Sequence, residues 1–220
     1  MLFIELTGNN LLMVYSLLRA HFGFLNWWPA STEDEMLIGA ILAQNTSWRN
    51  VEKAIAELKR RRLLRLNAIS KANTRSLANA IRSSGFYKQK AKRLNLFAKF
   101  VMRQGSFKGF LAHNSDARQT LLSISGIGRE TADSMLLYAG NMPFFVIDAY
   151  TKRIMNRVFG TEILDYDSLQ EQISSLIPKD VELYKDFHAQ FVELAKNFCR
   201  KKPMCDKCPL RNVCKFNTHL

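Results

Sequence analysis

Apolar residues recur three or four positions apart along most of this 220-residue chain, and this spacing limits the possible folds more than any other feature. Glycine and proline are scarce, with 10 and 5 residues, and runs of Val, Ile and Thr in strict alternation are nearly absent. A period near 3.6 indicates amphipathic helices, whereas half-buried strands need a period of two. The sequence therefore predicts an all-α protein.

The pattern contains eleven candidate helices, with boundaries good to about three residues. They are 8–21, 34–45, 48–63, 74–82, 88–104, 107–112, 116–122, 129–139, 148–159, 167–177 and 182–198. The stretch STEDE at 31–35 is typical of a helix start. Asp148 follows the apolar run PFFVI and precedes a helical pattern, which predicts that it caps a helix.

The chain is strongly basic, because 32 Lys and Arg face 19 Asp and Glu for a formal charge of +13. Such an excess favours a polyanionic partner, and nucleic acid is the leading candidate. A basic protein without such a partner is the alternative. A membrane surface is disfavoured, because no long basic amphipathic segment stands alone. The hydrophobic content of 47% is enough for a packed core.

The N-terminal stretch MLFIELTGNNLLMVYSLLRA has no basic leader, and Glu5 and two asparagines interrupt its apolar run. It therefore resembles neither a signal peptide nor a membrane span. We expect an intracellular protein of the cytoplasm or nucleoid, in which cysteines stay reduced.

All four cysteines lie in the last 22 residues, where the helical spacing ends. They are Cys199, Cys205, Cys208 and Cys214, in the spacing C-x5-C-x2-C-x5-C. Thiols this close predict one metal centre, which would also hold together a loop with no other core. Unrelated cysteines and disulfides are the less favoured alternatives. From spacing alone, zinc and a [4Fe–4S] cluster are equally good candidates.

Gly126 and Gly128 stand one residue apart in SISGIGRETADS at 123–134, between two helical patterns. Alternate glycines let the backbone turn tightly and approach a ligand closely. The N–H groups that begin the next helix are suited to a phosphate. Most such pairs are plain helix–helix turns, but small flanking residues and a basic chain favour a helix-hairpin-helix that grips a DNA backbone without reading sequence.

Five motifs follow one another along the chain: AILAQNTSWRNVEKAI at 40–55, SGFYKQKAKRL at 84–94, SGIGRETAD, VID at 146–148 and the four cysteines. With these motifs in this order, the chain resembles the endonuclease III family of DNA glycosylases. The resemblance implies two helical domains with DNA in a cleft between them. Residues 34–146 would form a six-helix barrel with the hairpin, and 1–33 together with 147–220 would form the cluster domain.

The resemblance also implies the catalytic group and the cofactor. Asp148 matches the family's catalytic aspartate, which stabilises an oxocarbenium-like sugar and orients water. The four cysteines match the family's [4Fe–4S] ligands, in a loop at 199–214. The first spacer has five residues here, whereas the family commonly has six.

Glu130 occupies the position at which bifunctional members carry a lysine. That lysine attacks the sugar and forms a Schiff base, and strand cleavage follows. A carboxylate cannot form an imine. The sequence therefore predicts absent or weak lyase activity, with water as the nucleophile.

Trp-Trp-Pro at 27–29 and Trp48 resemble most closely the 3-methyladenine DNA glycosylase branch, as do Glu130 and Asp148-Ala149-Tyr150. The predicted base pocket consists of Trp27, Trp28, Pro29, Trp48 and Lys196. An N-alkylated purine is cationic, so indole rings attract it by stacking and cation–π contact. The alternative is that the tryptophans pack in the core and that Lys196 is solvated. Members of this branch can lack the cluster cysteines, which this chain keeps.

A glycosylase must fill the hole left by a flipped base. Family position implies Gln44 for the partner base and Phe86 as a wedge. The other predicted DNA contacts are Gly126, Gly128, Arg129, Arg200, Lys201 and Lys202. Of the basic residues 88, 90, 92 and 93, some should face phosphate while others are solvated, and the run at 59–62 is a solvated helix end.

These inferences combine into a monofunctional base-excision glycosylase for alkylated purines, a monomer that acts on duplex DNA with a damaged base. One alternative is an enzyme for mismatched or oxidised pyrimidines, with or without lyase activity. The other is a non-catalytic DNA-binding protein.

Overall fold

The computed structural model describes residues 4–25, 30–161 and 165–219. The described residues are helical and contain no β-strand, so the predicted all-α class is confirmed. The α-helices are α1 Gly8–Phe22, α2 Glu33–Leu42, α3 Trp48–Arg60, α4 Leu66–Lys71, α5 Thr74–Ala80, α6 Tyr87–Arg103, α7 Phe107–Ala112, α8 Ala117–Leu122, α9 Arg129–Ser134, α10 Ala149–Phe159, α11 Tyr166–Leu176 and α12 Val181–Asn197.

Side-chain caps explain where many of these helices begin. Thr32 accepts a hydrogen bond from the Glu35 amide at the start of α2, and the Glu35 carboxylate accepts from Ser31. Asp148, Asp165 and Asp180 cap α10, α11 and α12 in the same way. Each cap satisfies an amide that the helix leaves unpaired.

Two helical details differ from the sequence pattern. Helix α4 was not predicted, because it is a single short stretch whose N-cap, Arg65, makes no side-chain cap hydrogen bond. The predicted helix at 129–139 is α-helical only to Ser134 and continues as a π-helical turn, Met135–Ala139. There the Gly140 amide donates to the Met135 carbonyl.

The chain forms two compact units. One contains Trp28–Asn141, with helices α2 to α9. Its core surrounds α2 and α6, and α6 packs against α4 and α5. Leu37, Ile41, Leu94 and Phe97 are fully buried there.

The other unit contains Met1–Trp27 and Met142–Leu220. Helix α12 is its centre, because it packs against both α1 and α10. Phe145, Tyr184 and Phe187 form an aromatic core, with ring centroids 5.1 and 5.8 Å apart for the two pairs that include Phe145. No helix among the described residues has the length and hydropathy that crossing a membrane requires.

Candidate active site and nucleic-acid interface

Asp148 stands where a buried extended segment meets a helix. Phe145, Val146 and Ile147 are buried, and α10 begins directly after Asp148. The Thr151 amide donates to Asp148 Oδ1 at 2.7 Å, as the predicted cap requires. The side chain of Asp148 is 15% exposed.

His188 of α12 lies beside the same carboxylate. Its Nε2 is 3.6 Å from Asp148 Oδ2, and its side chain is 5% exposed. Burial alone would raise the pKa of Asp148, but His188 and the Thr151 donors outweigh burial and lower it. Asp148 is therefore an anion at neutral pH.

Sequence reasoning missed His188. The available signal is its position in the buried stripe of α12, where Tyr184, Phe187 and Phe191 are its apolar neighbours. A histidine in such a stripe needs a polar partner. Only the packing of α12 on α10 identifies that partner as Asp148, which lies 40 positions earlier in the chain.

The glycine hairpin joins α8 to α9. Gly126 has φ +88°, which favours glycine, whereas Gly128 has φ −91° and is the N-cap of α9. A Cβ at Gly128 would meet no described atom within 4 Å. Because internal packing does not demand a glycine there, close approach of an external group is a better reason for it. The backbone N–H groups that begin α9 can donate to an anion.

A buried ion pair holds the two hairpin helices together. Arg118 of α8 donates two hydrogen bonds to Asp133 of α9, at 2.7 and 3.1 Å. Arg129 and Glu130 are exposed in the first turn of α9. A carboxylate at this end of a helix interacts favourably with the helix dipole, so Glu130 suits its position without supplying a nucleophilic amine.

Phe86 stands out from the surface in a strained conformation. It has φ +46° and its side chain is 63% exposed. A left-handed backbone is costly for a bulky residue and tends to occur at functional sites. The structure thus presents Phe86 outward, directly before α6.

Gln44, which follows α2, is engaged with the hairpin. Its Nε2 donates to the Gly126 carbonyl and to Thr131 Oγ1, both at 2.9 Å, and its Oε1 accepts from Arg93 at 2.6 Å. Gln44 and Arg93 are both half-buried. Arg93 is therefore partly enclosed by the protein and partly exposed to solvent.

The interpretation of the α6 basic residues as phosphate-facing or solvated is wrong for Lys90. Its side chain is 1% exposed, and its Nζ donates to the carbonyls of Leu42 and Ser84 at 2.9 and 2.6 Å. Burial, with the charge of Arg93, lowers the pKa of Lys90 to about 8. Lys88 and Lys92 on the same helix are exposed.

The four cysteines lie in the segment 199–214, which we call the cysteine segment. Burial raises the pKa of the Cys205, Cys208 and Cys214 thiols, that of Cys208 to about 11, and mutual repulsion between the thiolates adds to it. Within the described part of the chain, however, no group of three or more Cys, His, Asp or Glu side chains is arranged to hold a metal ion.

Helix α10 anchors the cysteine segment. Arg153 Nε donates to the Cys199 carbonyl at 2.8 Å, and Arg157 Nη1 donates to Cys199 Sγ at 3.3 Å and to the Arg200 carbonyl at 2.6 Å. Cys199 is buried. The chemistry of the donor set fits a thiolate-bound centre, because the segment carries four thiols and Arg157 places a cation beside one of them.

Two of the predicted base-pocket residues, Trp48 and Lys196, are among the described residues. Trp48 borders a cavity of about 270 Å³ between α2 and α3, with Glu35, Gly39 and Glu52 among its lining residues. Lys196 is on the surface of α12 and pairs with Glu193 at 3.0 Å. Trp27, Trp28 and Pro29 lie outside the described residues.

The basic residues of the cysteine segment are exposed. Arg200 Nε donates to the Lys196 carbonyl at 2.7 Å, so its guanidinium is partly committed to the protein. Lys201 and Lys202 follow it in the chain and are also exposed.

Three relatives span most of the chain. A Methanocaldococcus jannaschii protein that is provisionally named a DNA repair glycosylase is 46% identical over 206 residues, 91% of this chain and 94% of its own. Endonuclease III of Thermotoga maritima is 28% identical, covering 82% of both chains. A thymine-DNA glycosylase of Aeropyrum pernix is 26% identical, covering 86% of this chain and 85% of its own.

Two solved structures are similar over their whole length. The H. pylori 3-methyladenine DNA glycosylase bound to 1,N6-ethenoadenine has a TM-score of 0.77 and 31% identity, covering 87% of this chain and 98% of its own. A non-covalent endonuclease III–DNA complex has a TM-score of 0.82 and 20% identity, with 98% of both chains covered. The second likeness concerns the fold alone.

The family model for HhH-GPD superfamily base excision DNA repair proteins matches residues 38–179, which include the hairpin, Glu130 and Asp148. The fold, the hairpin and the relatives agree with this match. The chain belongs to the HhH-GPD superfamily of base excision DNA repair proteins, the endonuclease III-like DNA glycosylases.

Proposed function

We propose that this glycosylase is monofunctional and removes alkylated purines of the 3-methyladenine type from duplex DNA. The observation that carries the proposal is the presence of acids both at the position of the family's catalytic aspartate and at the position of the lyase lysine. Asp148 is held as an anion, and Glu130 replaces the amine that a lyase needs. The similarity to the H. pylori 3-methyladenine enzyme supports the choice of substrate.

Asp148 is the proposed catalytic residue. Loss of a base leaves positive charge on the sugar, and a fixed carboxylate stabilises that charge as it develops. Oδ1 is occupied by the Thr151 amide, so Oδ2 is the oxygen available to the sugar or to water. His188 lies beside Oδ2 and lowers the pKa of Asp148, which keeps the carboxylate ionised.

Water is the proposed nucleophile. Glu130 has no amine with which to form a Schiff base, so the reaction ends at an abasic site. An N-alkylated purine carries a positive charge and leaves readily. A site without a strong general acid is therefore sufficient for this substrate class.

Base recognition is assigned to aromatic side chains. Trp48 lines a cavity. We assign Trp27, Trp28 and Pro29 to the base pocket from the sequence alone. Electron-rich indoles attract a cationic purine more strongly than a neutral one. Lys196 is a weak candidate, because its ammonium pairs with Glu193 on the surface.

DNA binding is assigned to the hairpin, Phe86, Gln44 and the exposed lysines of the cysteine segment. The open backbone at Gly128 and the strained, exposed Phe86 support these roles. We assign the hairpin and barrel to residues 34–146, and the cluster to 1–33 with 147–220. We also infer that the enzyme acts as a monomer on duplex DNA.

The four cysteines are the proposed ligands of a [4Fe–4S] cluster. Their donor chemistry and the Arg157 contact to Cys199 support it. When bound, the cluster supplies a rigid centre that a short basic loop cannot provide for itself. The residues of the chain then hold Lys201 and Lys202 toward a phosphate backbone.

A second candidate is removal of thymine or uracil from mismatches. The similarity to a thymine-DNA glycosylase over 86% of this chain favours it. This reaction also uses water as the nucleophile, so Glu130 is compatible with both candidates. The two differ in the charge of the leaving base, because thymine and uracil are neutral and leave less readily.

The deciding experiment is base release from duplex DNA treated with a methylating agent. Free bases are resolved by chromatography, and strand nicking is followed with and without alkali. We expect release of 3-methyladenine, with nicks only after alkali. A duplex with a single G·T or G·U mismatch is tested in parallel.

Three results would contradict the proposal. Release of thymine or uracil without alkylated bases favours the second candidate. Nicks without alkali indicate a lyase despite Glu130. Binding without release on every duplex indicates a non-catalytic protein.

A further inference from the structure

The amide of Gln44 is almost saturated by intramolecular hydrogen bonds. Both Nε2 hydrogens are used, on the Gly126 carbonyl and on Thr131 Oγ1, and Oε1 accepts from Arg93. A residue that waits for a partner base would be expected to keep donors free. Gln44 instead ties the segment after α2 to the hairpin and to α6.

The chemistry of its partners fixes which way the amide points. A guanidinium only donates, so the atom facing Arg93 must be the oxygen. A carbonyl only accepts, so the atom facing Gly126 must be the nitrogen. The hydroxyl of Thr131 can donate or accept, so it accommodates this orientation without setting it. Arg93 therefore holds the oxygen side of the Gln44 amide while the hairpin holds the nitrogen side.

The stem of Arg93 also lies directly against the hairpin turn. A Cβ at Gly126 would lie 2.4 to 2.5 Å from the Nε, Cδ and Cγ atoms of Arg93. A side chain at Gly126 would be strained by the positive φ and would also displace Arg93. A shift of the hairpin turn would therefore disturb Arg93, which donates to Gln44.

We propose that Arg93 is a positioning residue that couples the hairpin to the partner-base contact through Gln44. Without DNA, Arg93 and Gln44 hold the turn at Gly126 through their hydrogen bonds, an arrangement that we call the latch. To reach an orphaned base, Gln44 gives up its bond to Gly126 or Thr131, so the hairpin is unlatched as the base pair opens. This coupling rests on the proposed function for its role in base release, but the latch itself is a property of the free protein.

The first test measures backbone hydrogen exchange in residues 124–131 of the DNA-free protein. The variants are Arg93→Met, Gln44→Met and the double variant. The matched control is Lys99→Met, which removes the same charge from an exposed position of α6. We expect each single variant to speed hairpin exchange about tenfold, and the double variant to add little, because both break one network. The control should leave exchange unchanged.

The second test measures base release from two duplexes, with the alkylated purine opposite thymine or opposite an abasic site. We expect Arg93→Met to lower kcat about tenfold on the first duplex, with KM little changed. On the second duplex no partner base needs to be held, so the loss should stay within about twofold. Lys99→Met should match the parent protein on both.

Unchanged hairpin exchange in Arg93→Met, or fully additive effects in the double variant, would overturn the latch. Equal loss of kcat on both duplexes would overturn the link to the partner base. Where Arg93→Met does not fold, Arg93→Lys keeps the charge and stem and is judged by the same exchange measurement. If the parent protein releases no base from either duplex, the proposed function fails, while hairpin exchange still decides the latch.

Discussion

Asp148 combines two roles at one position. As an N-cap it needs an acceptor for the Thr151 amide, and as a catalytic anion it needs a second, available oxygen. A carboxylate provides both, since each oxygen has its own lone pairs. The low pKa of Asp148 follows from its partners and not from exposure, because burial acts in the opposite direction.

Asp148→Asn should separate the two roles. Asparagine caps helices as well as aspartate, so the fold and DNA affinity should be retained within about twofold. Base release should fall by more than about 100-fold, because the charge that stabilises the sugar cation is lost. Single-turnover release and DNA binding by fluorescence anisotropy measure these effects. Asp165→Asn, at the cap of α11, is the matched control and should leave release unchanged. Retained release in Asp148→Asn would refute the catalytic assignment.

His188→Leu should shift the pH dependence of base release. Removing His188 leaves burial less opposed, so the pKa of Asp148 rises. Because the pKa of Asp148 is lower in the folded protein than its ordinary value of 3.8, the ionised carboxylate stabilises the fold at pH values above 3.8. This contribution to stability is lost as the pH falls through the pKa of the folded protein. The acid limb of kcat should therefore move to higher pH in the variant. His188→Gln keeps a donor and should move less. Superimposable pH profiles would show that His188 does not act through Asp148.

At the scale of elements, α6 organises the unit that contains the hairpin. Its apolar face packs on α4 and α5. Its basic residues divide by depth, because Lys88 and Lys92 are exposed while Lys90 is buried against the end of α2 and the Arg82–Ser84 turn. A buried lysine is costly. Here it joins the segment that precedes Gln44 to the segment that precedes Phe86.

Lys90→Met should change how stability depends on pH. The pKa of Lys90 is lowered from 10.5 to about 8, so the unfolded chain binds this proton more tightly. Wild-type stability should therefore rise relative to Lys90→Met between pH 8 and 10.5, by on the order of 3 kcal/mol in full. Urea unfolding at pH 7.5 and 10 checks this, with Lys92→Met as the control. A pH-independent difference between wild type and Lys90→Met would mean that the pKa of Lys90 is the same in the folded and the unfolded protein.

At the scale of the whole molecule, the basic residues that give the charge of +13 differ in how the protein holds them. At the end of α3, Arg60 and Arg61 are paired with Glu57, as a solvated helix end would be. Lys201 and Lys202 lie instead in a loop that Arg157 holds against α10. A cation on a fixed loop loses less freedom when it binds phosphate.

Lys201→Ala/Lys202→Ala should weaken DNA binding in a salt-dependent way. Removing one lysine that neutralises a phosphate should reduce the slope of log K against log salt by about 1, so the double variant should reduce it by about 2. Lys59→Ala/Arg60→Ala removes the same charge from α3 and is the control, for which we expect an unchanged slope. Titrations of undamaged duplex at several salt concentrations measure it. Equal reductions in both variants would indicate a general effect of net charge.

The purified protein should be coloured. A thiolate-bound [4Fe–4S] cluster absorbs as a shoulder near about 400 nm, and iron and sulfide should be present in matching amounts. Cys208→Ser should lose the colour and, because the cysteine segment is no longer held, also weaken DNA binding. A colourless protein with one bound zinc would contradict the cluster and would indicate a zinc site instead.

The sequence by itself determined the helical class, the caps, the hairpin and the family, and the family prediction from five motifs is confirmed. These features are local: a period of 3.6, a glycine pair and a capping aspartate act within a few residues of chain. Helix α4 was missed because a short helix without a side-chain cap hydrogen bond leaves almost no pattern. The roles of the site residues stay predictions.

Only the tertiary structure decided which polar groups meet. His188 reaches Asp148, Lys90 reaches two carbonyls, and Arg93 reaches Gln44 across 49 positions of sequence. In the sequence, the basic residues of α6 differ little, yet burial makes Lys90 a structural tie and places Arg93 against the hairpin. Burial and partner geometry arise from packing between helices, which local patterns do not encode.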